Sequence, residues 1–89
     1  MHEHALISDL MRQILKTAES EKATAVVGVS VWLGALSHMS AGHLAEHFLR
    51  AAAGTLAEGA TVDAVVSDDI HDPHATSVLL TGVEVEAEP

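Results

Sequence analysis

The chain has 89 residues, enough for one small domain around a single core. Hydrophobic residues make up 48% of it, and thirteen acidic against four basic residues leave a net charge of −9. That composition excludes a disordered acidic tail and argues against binding to nucleic acid or to an anionic membrane surface.

There is no cysteine, so disulfides, thiolate zinc sites, iron–sulfur clusters and cysteine nucleophiles are excluded. Seven histidines stand beside only two aromatic residues, Trp32 and Phe48, so potential metal ligands are plentiful. No apolar run reaches the ~20 residues of a bilayer span. No basic segment followed by an apolar one opens the chain. The expected setting is the cytoplasm.

Residues 5–21 predict a helix. Leu6, Ile7, Leu10, Met11, Ile14, Leu15 and Ala18 recur at spacings of three and four and form one apolar stripe. Residues 25–36 switch to a period of two, with Val27, Val29, Val31 and Leu33 on one face and Trp32 on the other, which predicts a strand. Ser40 is placed to cap a helix over 41–53, with Leu44, Phe48 and Ala51 on its stripe and Gly54 just past its end. A second strand is expected over 61–66, with Val62, Ala64 and Val66 on one face. A polar loop follows over 67–76. A third strand is expected over 77–85; both faces of its first half are apolar, which points to cover on both sides. The fold class is α+β: two helices packed on one face of a three-stranded sheet, in the order αβαββ. The expected sheet pairs the last two strands as a hairpin through 67–76.

The most chemically loaded stretch is Met1-His2-Glu3-His4. The terminal amine, the amide nitrogen of residue 2 and the imidazole of His2 can close adjacent chelate rings on one ion. A further amide nitrogen, or Glu3, can fill the plane. An all-nitrogen square-planar set suits Ni(II) or Cu(II) better than zinc. His4 is a weaker candidate for an axial position. The bland alternative is a polar, exposed chain end.

Two further clusters are weaker. His43-Leu44-Ala45-Glu46-His47 has the letters H-x-x-E-H of one class of zinc peptidase, and its two histidines share a helix face. A catalytic zinc needs a third protein ligand and a cleft, for which so small a chain has little room. Asp68-Asp69-Ile70-His71-Asp72-Pro73-His74 gathers three carboxylates with His71 and His74, yet Asp and Pro are also ordinary turn formers. His38 reads as a surface histidine. There is no phosphate-binding glycine loop and no serine elbow, so an enzyme is not expected.

Four stretches together resemble the HypA/HybF family of hydrogenase nickel-incorporation proteins. They are Met1-His2-Glu3 with Ala5-Leu6; Val29-Ser30-Val31-Trp32-Leu33-Gly34-Ala35-Leu36-Ser37; Leu44 with Phe48; and Gly54-Thr55-Leu56-Ala57-Glu58-Gly59-Ala60. Val83-Glu84-Val85-Glu86 also resembles the family's last strand. The resemblance implies a single nickel-binding domain over 1–89 and a cytoplasmic accessory role in maturing [NiFe]-hydrogenase, in some organisms urease. It implies Ni(II) held by Met1, His2 and Glu3. It implies two partners, a HypB-like GTPase and the hydrogenase large subunit. The family's zinc domain, built on two Cys-x-x-Cys pairs, is replaced here by the loop 67–76, so no structural zinc is expected; His71 and His74 are weaker metal candidates in its place. The alternative is a non-catalytic interaction protein of the same fold that docks through Trp32 or pairs by a strand edge, as monomer or homodimer.

Overall fold

The computed structural model describes residues 3–88, with side chains from Ala5 onward. Helix α1 spans Glu3–Ser20 and buries Ile7, Leu10, Met11, Ile14 and Ala18, with Leu6 and Leu15 at the margins of the stripe. It closes without glycine. Lys22 takes a left-handed φ of 55°, the Ala23 amide bonds the Ala18 carbonyl and the Lys22 amide bonds that of Glu19. These are the two carbonyls that a Schellman turn satisfies.

Strand β1 spans Ala25–Leu33. Val29, Val31 and Leu33 face the core as their alternation predicts, but Val26 is buried in place of Val27. A register shift against the last strand lies between Val26 and Gly28. The bulge inverts the alternation at that point, which a strict period of two does not anticipate.

Helix α2 spans Ala41–Ala52, and the Ser40 hydroxyl accepts from the His43 amide at 3.1 Å, the expected cap. Leu44, Phe48 and Ala52 are buried, and Ala51 lies at the edge. Strand β2 follows over Thr61–Val66 and β3 over Val78–Glu86. The two helices pack together over one face of the sheet, and their stripes meet Val29, Val31 and Leu33 in one core.

The expected hairpin does not form. The sheet order is β2-β1-β3, with β1 in the centre, parallel to β2 and antiparallel to β3. β1, α2 and β2 form a crossover unit, which sets β2 beside β1 in parallel. Residues 67–76 then run as a strap across the end of β1. The Ser67 amide bonds the Leu33 carbonyl, the Gly34 amide that of Ser77, and the Leu36 amide that of Ala75. The strap is too long for a tight hairpin, whose loops run to about five residues.

The face of the sheet away from the helices is lightly covered. Trp32 is half-buried there, in register between Val65 and Leu79. Leu79 is 39% exposed, so the expected cover on both sides of β3 is missing.

Residues 54–60 form a hydrogen-bonded turn. Gly54 and Gly59 hold left-handed φ of 80° and 82°. The Thr55 hydroxyl donates to the Ala52 carbonyl at 2.8 Å and accepts from the Ala57 amide at 3.0 Å. The Glu58 carboxylate accepts from the Gly54 amide, and Ala57 is fully buried between them.

Candidate metal site

The topology collects the metal candidates at one pole of a molecule 44 Å long. α1 ends where β1 begins, so its start lies at the far end, beside the finish of β1. α2 starts at that same end and finishes at the other, where the Leu56 carbonyl accepts from the Val26 amide. The two helices therefore run side by side in the same sense. Ile7 and Ser8 border a groove with His47, Arg50 and Ala51, while Leu15 and Glu19 reach Gly54 and Thr55. The strap crosses the same pole. Every histidine among the described residues belongs to it: His4 by backbone in the first turn of α1, His38 before α2, His43 and His47 in its first two turns, His71 and His74 in the strap.

Met1 and His2 lie outside the described residues, as do the side chains of Glu3 and His4. The expected N-terminal nickel site on Met1, His2 and Glu3 therefore falls outside the described side chains. α1 is helical from Glu3. The first four amides of a helix have no partner within it.

In the strap, the Asp69 carboxylate accepts from the His71 amide at 3.0 Å and the Asp72 carboxylate from the His74 amide at 2.7 Å. Both acids shape turns. His71 and His74 are exposed. Among the described residues, no group of three or more His, Asp or Glu side chains converges as a metal cage.

His43 and His47 do come together. Their Nε2 atoms are 2.8 Å apart, and the rings stack with centroids at 4.6 Å and planes 12° apart. Glu46, the residue a peptidase would need as base, is exposed and pairs with Arg50 at 2.9 Å.

The chain is a small α+β protein, and comparison with known proteins identifies its family. The family model for hydrogenase and urease nickel incorporation, the metallochaperone HypA, matches residues 1–70, and the chain belongs to that family. In structure it is similar to the solution structure of the nickel metallochaperone HypA from Helicobacter pylori, with a TM-score of 0.78 at 18% identity, covering 99% of this chain and 100% of that one. A second solution structure, of a HypA protein, gives 0.75 at 20% identity, with 99% and 98% covered. No curated protein sequence matches the chain. At these identities the structures establish the shared fold. The family's four-thiolate zinc site has no counterpart here, because the chain holds no cysteine to build it.

Proposed function

We propose that this chain is a nickel-binding accessory protein for [NiFe]-hydrogenase maturation, taking up Ni(II) at its N-terminus and passing it on. The observation that carries the reading is the family match, which begins at residue 1 and so includes Met1-His2-Glu3. The Met1 amine, backbone nitrogen and the His2 imidazole supply a planar nitrogen set suited to Ni(II). Glu3 lies adjacent to orient or gate the ion. Ligands at a chain end can be exchanged one at a time as an acceptor approaches, which suits delivery rather than catalysis. The acidic surface raises the local concentration of cations. The partners are a HypB-like GTPase and the hydrogenase large subunit, and the setting is cytoplasmic. Among the described residues, no helix is long and apolar enough to cross a membrane. The strap 67–76 stands where relatives insert the zinc domain, so delivery here proceeds without structural zinc.

The test is a calorimetric Ni(II) titration of wild type and His2→Ala with zinc as competitor, recording the electronic spectrum. A tight equivalent with a square-planar band, lost in the variant, supports the reading. Equal tight binding by His2→Ala overturns it.

One observation favours a second reading, docking without delivery: the row Val65, Trp32 and Leu79 on the helix-free face, with Val65 59% exposed. Capture of the hydrogenase large subunit that is indifferent to nickel, and weakened by Trp32→Ala, would support it.

A further inference from the structure

We propose that His43 and His47 form a second metal site, a two-imidazole chelate for a divalent ion that prefers ligands at right angles, Ni(II) or Cu(II). The site does not depend on the N-terminal nickel reading.

Three observations converge. The first is spacing: residues four apart share a helix face, and the Ser40 cap orders the turn that carries His43. The second is direction. The ring centroids are 4.6 Å apart but the Nε2 atoms only 2.8 Å, so the rings converge on their Nε2 tips. The third is bite. With metal–nitrogen bonds of ~2.0–2.1 Å, two ligands at a right angle lie about 2.9 Å apart, and two at the tetrahedral angle about 3.4 Å. The observed 2.8 Å fits the right angle almost unchanged, whereas tetrahedral zinc would force the rings apart. Square-planar and octahedral geometry are the preferences of Cu(II) and Ni(II).

The surroundings suit an exchangeable site. His43 is exposed and His47 half-buried, beside Ile7 and Ser8 of α1. Arg50 lines the same groove, and its charge is offset by Glu46. Among the described residues, no group of three His, Asp or Glu side chains forms a cage. A chelate of two imidazoles binds weakly and releases readily.

The experiment titrates Ni(II), Cu(II) and Zn(II) separately into His2→Ala protein, whose N-terminal set is broken. Calorimetry gives affinity and stoichiometry. Nitrogen-15 spectra of the imidazoles report which rings respond. The expected result is one weak equivalent, with the His43 and His47 Nε2 signals shifting or broadening together and nickel preferred over zinc. His43→Gln or His47→Gln in that background should weaken binding by roughly tenfold or more, since the second ligand acts at high effective concentration. A control pairs His43→Gln with Gly42→His, which keeps the histidine count but moves one ring off the face. An added β-carbon at Gly42 meets no atom within 4 Å, so this variant should fold, and it should bind as weakly as His43→Gln. Silent His43 and His47 signals, or a control that binds as well as its parent, overturn the proposal. Zinc held more tightly than nickel overturns the right-angle assignment. The N-terminal reading fails on a different result, unchanged tight binding on going from wild type to His2→Ala.

Discussion

A β-carbon on Gly34 would stand 2.2 Å from the carbonyl oxygen of Ala75 and 2.5 Å from its carbonyl carbon. The strap therefore rests on bare backbone at the end of β1, and the obstacle is main chain that cannot rotate aside. Gly34→Ala should cost about 1–3 kcal/mol, the usual range for overpacking. The check is a urea unfolding curve, where the midpoint should fall at unchanged slope. An unshifted midpoint would mean that the strap yields freely.

Thr55→Val keeps the shape of the side chain and removes the hydroxyl that joins Ala52 to Ala57. Two hydrogen bonds are lost, each worth about 0.5–1.5 kcal/mol net. A loss of about 1–3 kcal/mol is expected by chemical unfolding. Thr55→Ser should recover most of it, because the serine hydroxyl can make both bonds.

Leu44 and Leu49 share α2 but not its face. Leu44 is 0% exposed and Leu49 67%. Leu44→Ala should destabilise by about 2–5 kcal/mol. Leu49→Ala should stay within about 0.5 kcal/mol of wild type. Paired thermal melts give both values, and similar losses would refute the packing described for this helix.

Adding Gly-Ser before Met1 replaces the terminal amine by an amide and displaces the proposed chelate ring. Ni(II) affinity should fall to the level of His2→Ala while the melting temperature stays unchanged. Undiminished affinity in the extended protein would remove the amine from the ligand set.

Much of the fold is legible in the chain, because helix stripes and strand alternation are local signals. Ile7, Leu10, Met11, Ile14 and Ala18 are all buried as their spacing implies. Ser40 caps α2, and Gly54 closes it in a left-handed turn. What escapes is set by partners distant in sequence. The central place of β1 depends on how the crossover and strap run, and Val26 replaces Val27 through a bulge against β3. Met39, Ala57 and Ala75 are buried from loops, where no period marks them. The metal candidates are visible as letters scattered over the chain. Their gathering at one pole follows only from the topology, and the convergence of His43 and His47 on their Nε2 tips only from rotamers.

The strap also bears on how this architecture tolerates growth. It joins the two outer strands over the end of the central one; its middle around Ile70 and His71 is exposed, while Ala75 and Ser77 accept backbone hydrogen bonds from Leu36 and Gly34 and anchor its return. The entropy of closing a loop rises only with the logarithm of its length, about 0.6 kcal/mol for each doubling. An entire module could be spliced in at that middle, or deleted from it, with little effect on β3 finding β1. The strap is thus a socket, and the sheet beneath it is indifferent to whether anything is plugged in.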